Sequence, residues 1–236
     1  MKKKIRLSII IPCFNEEKNL SSLFKSIKLI SKKNKFVEFI LVNNGSTDNS
    51  EKIFQLFKHK NVLNVNLKKN IGYGHGIISG VKKSSGQAIA WCHSDLQVKL
   101  SDVFAAYSTN EKNIKKNLII VKGKRINRSF FDNIFTFFMA ILVNIYFKVK
   151  LNDINAQPKI FSKKIKADII RKYPKDFSLD LFLLLKANEK KLPIIDYPVT
   201  LYEREKGTSK GGGSLIGKIK LIVRTLKFMY KLKMSH

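Results

Sequence analysis

Three short polar clusters carry most of the chemistry-bearing side chains of the first hundred residues, and each closes an apolar run. Pro12-Cys13-Phe14-Asn15-Glu16 ends the run from Leu7, Asn43-Asn44-Gly45-Ser46-Thr47-Asp48 ends the run from Phe36 to Val42, and His93-Ser94-Asp95-Leu96-Gln97 ends the run from Gln87 to Cys92. If those runs are strands of one open α/β sheet, the clusters share the edge at the strands' carboxyl ends, where ligands of such sheets collect. Three polar strand ends on one edge describe a single pocket lined by carboxylate, amide and imidazole groups. Taken singly, each cluster is also an ordinary turn, because Asn-Gly, Ser and Asp are common turn residues. Their recurrence is what points to a site.

The elements that must hold these clusters follow from periodicity. Leu7 to Cys13 is continuously apolar and reads as a strand buried on both faces. Glu17 to Ile30 places Leu20, Leu23, Phe24, Ile27 and Ile30 at helical spacing. Phe36 to Val42 is a second strand, and Ser46 or Thr47 is expected to cap a helix from about Asp48 to Phe57. A third strand over Val62 to Leu67, a Gly-rich helix over Gly72 to Lys83 and a fourth strand over Gln87 to Cys92 complete the alternation. That order implies right-handed crossovers and a mostly parallel sheet. Gly72, Gly74, Gly76 and Gly80 do not have G-x-G-x-x-G spacing and follow the third strand, so close helix–sheet packing is expected of them. The second half is less regular. It has a strand near Leu118 to Val121, an aromatic segment over Phe130 to Phe147, and helices over Ala167 to Arg171 and Leu179 to Lys190. A strand-like Ile194 to Tyr202 follows, with a final helix over Leu215 to about Lys233.

Composition bounds the function. The 236 residues carry a formal net charge of +29, with 46 basic against 17 acidic side chains, and only six of the basic ones are Arg. A 44% hydrophobic content excludes intrinsic disorder, which pairs high charge with too little apolar surface to bury. Lysine supplies a diffuse field rather than the forked contacts used to read bases. A basic nucleic-acid-binding protein would explain the charge but not the three polar strand ends, so no nucleic-acid partner is expected. Cys13 and Cys92 lie in apolar runs and are expected to be buried, reduced thiols of a cytoplasmic protein. Met1-Lys2-Lys3-Lys4 leads into Pro12 to Glu17 with no small-residue cleavage site, so no export signal is expected. Phe130 to Phe147, interrupted by Asp132, Asn133 and Asn144, reads as too short and too polar to span a bilayer.

Ser8 to Glu17 resembles the opening of family 2 glycosyltransferases. Val42 to Asp48 resembles their V-D-D-G-S-x-D loop, and His93 to Gln97 their D-x-D-L-Q metal motif. Gly123-Lys124-Arg125, Asp153 to Phe161, Phe177 to Asp180, and Arg204 with Ser209-Lys210 are similar to the dolichyl- or polyprenyl-phosphate sugar synthase branch. The resemblance implies an α/β fold of GT-A (Rossmann-like) type with a mostly parallel central sheet over residues 1–210; the residue pattern beyond it reads as a basic amphipathic helix over 211–236. It implies inverting transfer from a nucleotide-sugar to a polyprenyl-phosphate lipid, with extension of a cell-surface glycan as the alternative. Pro12, Phe14, Glu16, Val42 and Asn44 would surround the nucleoside. Asp95 and Gln97, with His93, would hold a divalent metal, Mg²⁺ or Mn²⁺, on the donor diphosphate. Arg204, Ser209 and Lys210 would close over that diphosphate, and Gly211 to Gly213 would let the loop move. Arg125 and Arg128 would hold the acceptor phosphate, with Asp153 as a catalytic helper.

Two departures from the family pattern bear on these roles. His93 replaces the first Asp of the metal motif, and imidazole suits Mn²⁺ and later metals better than Mg²⁺. Asn43-Asn44 replaces paired aspartates, and an amide both donates to and accepts from a base. In the last helix Lys220, Arg224, Lys227 and Lys231 form one stripe, and Leu215, Ile219, Ile222, Leu226 and Met229 another. Together with the aromatic segment, this pattern points to peripheral attachment to an anionic membrane surface, the inner face of the plasma membrane.

Overall fold

The run Leu7–Cys13 forms β1, in the middle of a seven-stranded sheet, in a computed structural model that describes residues 4–204 and 215–233. Strands β2 (Val37–Asn44) and β3 (Val62–Leu67) extend the sheet on one side. On the other side lie β4 (Ala88–Trp91), β6 (Lys159–Ser162), β5 (Ile120–Ile126) and β7 (Ile194–Thr200), giving the order β3-β2-β1-β4-β6-β5-β7. Only β6 runs antiparallel to its neighbours. Helices α1 (Glu17–Lys33), α2 (Ser50–Leu56), α3 (Tyr73–Lys83), α4 (Leu100–Lys116), α6 (Lys166–Arg171) and α7 (Ser178–Glu189) cover the two faces. The helix α4, the strand β6 and a short 3₁₀ helix over Lys163–Ile165 come in addition to the elements expected from the sequence, and the aromatic segment Phe130–Phe147 is helical.

Alternation along β1 explains why the strand is apolar throughout. Leu7, Ile9, Ile11 and Cys13 pack with Leu20, Leu23 and Ile27 of α1 on one face, while Ile10 packs with Ile77, Ile78 and Val81 of α3 on the other. A fully buried side chain of this size stabilises the fold by about 1.5–3 kcal/mol. The close approach of α3 depends on Gly80, where an added Cβ would stand 2.6 Å from Ile10 Cγ2 and 2.9 Å from Val42 Cγ2. Val42 is therefore a core residue beneath α3. Its expected place beside the nucleoside is corrected, because its side chain is fully buried against α3 and does not line the cavity described below.

Register carries the polar clusters to one edge. Pro12 pairs with Val42 and Cys13 with Asn43, so the loops after β1 and β2 leave the sheet side by side. They are stapled together: Asn15 N–H donates to Ser46 Oγ at 3.0 Å, Thr47 N–H to Asn15 Oδ1 at 2.8 Å, and Glu16 N–H to Ser50 Oγ at 3.1 Å. Ser46 and Thr47 are used in that cross-link and do not cap α2. Asp48 serves its first turn instead, accepting from Ser50 N–H at 3.0 Å.

A third layer lies beyond α7. Helices α5 (Phe130–Phe147) and α8 (Leu215–Lys233) pack on each other, and Val143, Leu181, Leu184 and Met229 share an apolar cluster. At 18 residues, or about 27 Å at 1.5 Å per residue, α5 is long and apolar enough by length and composition to cross a membrane. This corrects the reading of that segment as too short and too polar. Its polar residues are accommodated locally: Asn144 bonds to the backbone of Leu151 in both directions, and Ser129 caps the helix by accepting from Asp132 N–H. Within α5 only Ala140 and Val143 are buried. The apolar stripe of α8 is divided as well. Met229 faces the domain, whereas Ile219, Val223, Leu226 and Tyr230 face outward.

Candidate active site

A cavity of about 800 Å³ opens at the carboxyl edge of the sheet and runs on to α5 and α8. Its sheet end is lined by Pro12, Phe14 and Glu16 after β1, Asn44 after β2, and His93, Asp95 and Gln97 after β4. Arg125, Arg128 and Arg204 reach it from the second half of the chain. Ser209, Lys210 and Gly211 to Gly213 lie outside the described residues.

Asn44 is set by α3. Its amide lies over Gly76, where an added Cβ would meet Asn44 Cγ at 2.9 Å, and its Nδ2 donates to Gly72 O at 3.1 Å. Asn43 turns away from the cavity, accepting from Ser46 N–H at 3.1 Å and donating to Asn66 at 2.5 Å. The paired amides thus have separate tasks, one facing the cavity and one holding the loop.

Asp95 and Glu16 converge on Arg204. One nitrogen, Nη2, donates to Glu16 Oε1 at 2.9 Å and to Asp95 Oδ2 at 3.1 Å. The other oxygen of Asp95 accepts from Gln97 N–H at 3.2 Å, a tight turn that Leu96 permits at φ +59°. Gln97 also meets the chain before Arg204: Tyr202 N–H donates to Gln97 O at 2.9 Å, and Gln97 Nε2 to Tyr202 O at 3.4 Å.

At the other end, Arg125 and Arg128 flank Asp153. Arg125 donates to Asp153 from its backbone N–H at 2.9 Å and from Nε at 3.1 Å, and Arg128 Nη1 stands 3.9 Å from the same carboxylate. Burial pushes the Asp153 carboxyl up, but the Arg125 hydrogen bonds and charge outweigh it and hold the group below the usual range. Asp153 is outside the cavity lining. The structure places it behind that lining as the counter-ion of two guanidiniums. Arg128 is further fixed by donating to Thr136 Oγ1 of α5 at 2.5 Å.

Residues 8–138, more than half of the chain, match the sequence profile described as glycosyl transferase family 2. The chain belongs to that family. It is a glycosyltransferase, and two curated relatives span nearly all of it. A dolichyl-phosphate beta-glucosyltransferase of Trichomonas vaginalis is 26% identical over 245 residues, covering 96% of this chain and 73% of the relative. A dodecaprenyl-phosphate galacturonate synthase of Rhizobium johnstonii is 26% identical over 246 residues, covering 99% of this chain and 70% of the relative. Among solved structures, glucosyl-3-phosphoglycerate synthase of Mycobacterium tuberculosis with Mn²⁺, UDP and glucosyl-3-phosphoglycerate aligns at TM-score 0.70 and 15% identity, over 95% of this chain and 80% of that one. The same synthase with Mg²⁺ and UDP aligns at TM-score 0.69. The glycosyltransferase therefore has the GT-A fold.

Among the described residues, no group of three or more His, Cys, Asp and Glu side chains converges to enclose a metal ion. Asp95 is the carboxylate at the motif position, with its Oδ2 shared with Arg204, and a divalent metal held by one carboxylate with substrate phosphates is a usual arrangement. The donor set fits a metal that arrives with a diphosphate. His93 lines the cavity, but its Nε2 is hydrogen-bonded to Tyr73 Oη at 3.3 Å.

That contact leads into a buried network that sequence reasoning did not find. Gln157 Nε2 donates to Tyr73 Oη at 2.9 Å and to Asp180 Oδ1 at 3.0 Å, and Trp91 Nε1 donates to Asp180 Oδ1 at 2.9 Å. Burial pushes the Lys159 ammonium down to about 8, against the opposing pull of Asp180 at 3.7 Å. Tyr73 stacks on Phe177 with ring centroids 4.5 Å apart. These residues come from four separate segments, two of them quoted above for the family resemblance without a role for these side chains, so no local spacing announces the network.

Proposed function

We propose that this glycosyltransferase transfers a sugar, with inversion, from a nucleotide sugar to a polyprenyl phosphate at the cytoplasmic face of the plasma membrane. The observation that carries this reading is the pair Arg125 and Arg128, aligned by Asp153, in a cavity whose far wall is made by Phe135 and Met139 of α5 and Leu221 and Ile222 of α8. Paired guanidiniums suit a phosphate, and an apolar wall beside them suits a lipid chain. The two relatives named for lipid-phosphate acceptors support the same choice.

The site then works by placement and electrostatics. Pro12, Phe14, Glu16 and Asn44 receive the nucleoside. Asp95, with Gln97 and with His93 beside it, holds the metal, which when bound withdraws charge from the leaving diphosphate. Arg204, with Ser209 and Lys210, adds cationic and hydrogen-bonding groups there. An acceptor phosphate oxygen held by Arg125 and Arg128 attacks the anomeric carbon as the bond to the diphosphate breaks on the opposite face. A phosphate is ionised at neutral pH and needs no strong base. In keeping with this, the described cavity carboxylates already have donors: Glu16 and Asp95 from Arg204, Asp132 from Ser129 Oγ, Asp180 from Trp91 and Gln157, and Asp176 from Ser178 N–H.

The test offers purified enzyme a set of radiolabelled nucleotide sugars with either polyprenyl phosphate or the unphosphorylated polyprenol. Label in the organic phase with the phosphate alone is expected. Transfer to a soluble glycan with none to the lipid phosphate would replace this reading by glycan extension.

A further inference from the structure

Arg204 occupies the one oxygen of Asp95 that a metal could use. Asp95 Oδ1 is bound to Gln97 N–H, and Oδ2 receives Arg204 Nη2. The same nitrogen holds Glu16, and the three side chains are only 14%, 7% and 8% exposed for Arg204, Asp95 and Glu16. Two largely buried carboxylates brought to one nitrogen repel each other and need a cation between them. A guanidinium supplies it here. Resting on the functional reading above, we propose that Arg204 is the resident counter-ion of the donor-free site, and that a metal–nucleoside diphosphate complex replaces it at Asp95 while its guanidinium passes to the diphosphate.

The segment is built for such an exchange. Tyr202 is pinned to Gln97 by two backbone-carbonyl hydrogen bonds, and Lys99 Nζ sits 3.8 Å from the centre of its ring. Leu201 N–H reaches Ile126 O at 3.4 Å, joining the segment to the end of β5. Arg204 follows two residues after Tyr202, so its long side chain can change partners while the backbone before it stays docked. The exchange keeps a cation at Asp95, since a divalent ion enters as the singly charged guanidinium leaves. The departing guanidinium meets a diphosphate, an acceptor matched to its fork of donors.

Metal and nucleotide must then bind with positive coupling. Metal alone has to displace Arg204 without offering it a new partner, whereas the complex provides both. By linkage, each ligand strengthens the other by the same factor. Removing the guanidinium removes the competitor, so metal alone should bind better and the coupling should shrink.

Mn²⁺ binding, read by loss of the free-ion electron paramagnetic resonance signal, tests this with the full chain and with R204Q and R204K, each alone and with UDP or GDP. In the wild type, one of the two nucleotides is expected to tighten Mn²⁺ binding tenfold or more. R204Q should bind Mn²⁺ alone at least fivefold tighter than wild type and lose most of the nucleotide-induced gain. R204K keeps a charge but lacks the fork, and should fall between; it carries the test if R204Q does not fold. Unchanged affinity for Mn²⁺ alone in the folded variants, with the wild-type gain intact, overturns the exchange and leaves the functional reading standing. No gain in wild type with either nucleotide overturns both.

Discussion

In the proposed mechanism the donor end depends on Asp95, whose Oδ2, held here by Arg204, is the carboxylate oxygen offered to the metal. D95N keeps the shape and the bond from Gln97 N–H but removes the charge. Transfer is expected to fall at least a hundredfold, with the melting temperature within a few degrees of wild type; undiminished turnover in the purified variant would remove the metal assignment. In the same proposed mechanism Arg125 plays the corresponding part at the acceptor end. A hydrogen bond to a charged group is worth about 1.5–3 kcal/mol, which corresponds to about 10- to 150-fold in affinity. R125A should therefore raise the KM for polyprenyl phosphate by about that factor and leave donor binding unchanged. Arg128 remains near Asp153 in that variant, so the carboxylate is not stranded. If donor affinity falls instead, Arg125 belongs to the diphosphate.

At the level of elements, the ends of β1 and α4 are joined by Arg6 and Glu111. Arg6 Nε donates to Glu111 Oε1 at 2.6 Å, and Tyr107 Oη at 2.7 Å. Burial pushes the Glu111 carboxyl up, but the hydrogen bonds from Arg6, Lys115 and Tyr107 overcome this and bring it to about 2. A depressed carboxyl stabilises the fold fully above its unfolded value near 4.5, and that contribution is lost as pH falls towards 2. After allowance for solvent screening, E111Q should cost about 1–2 kcal/mol at pH 7, or roughly 3–6 °C in melting temperature. The difference from wild type should shrink as the pH is lowered from 5 to 3 in paired melts; a constant difference would deny Glu111 a charged role. Neither this latch nor α4 itself could be read from the sequence, because Leu100–Lys116 mixes buried and solvated positions without a strong stripe. By contrast β1 and α3 were legible to within a residue or so, since two-faced burial demands an unbroken apolar run and close packing demands glycine, and the edge strand β3 was bounded equally well. The three strand-end clusters were legible for the same reason: register fixes where a buried strand stops. Val42 was misplaced because motif membership does not say which way a side chain points. Lys122 and Lys159, fully buried beside Asp196 and Asp180, look like surface residues in any linear reading.

Over the whole molecule, charge and exposed apolar surface meet on one side. Phe130, Phe131, Phe137, Phe138 and Ile145 of α5 are largely exposed, and so are Ile219, Val223, Leu226 and Tyr230 of the neighbouring α8. Exposed Lys220, Lys227 and Lys231 accompany them, within a chain of net charge +29. Scattered exposed apolar residues need no explanation, but a contiguous set on two packed helices marks an interaction surface. Lysines beside it favour an anionic bilayer by about 1 kcal/mol for each one near the surface. The cavity opens between the same helices, so attachment there would present lipid phosphate to Arg125 and Arg128. Deleting α8 would confuse attachment with folding, because Met229 and Thr225 are buried against the domain. Substituting outward residues avoids this: F137S/F138S and L226S/Y230S alter side chains that are 43–64% exposed. Each pair is expected to reduce co-sedimentation with phosphatidylglycerol-containing vesicles severalfold without changing the melting temperature. Raising salt should weaken wild-type binding, since surface charges act within about 8 Å at physiological ionic strength. A remainder should persist through the aromatic residues, which salt does not screen. If both variants sediment like wild type at every salt concentration, the α5–α8 face is not the membrane contact, and the lipid must enter by another side of the cavity.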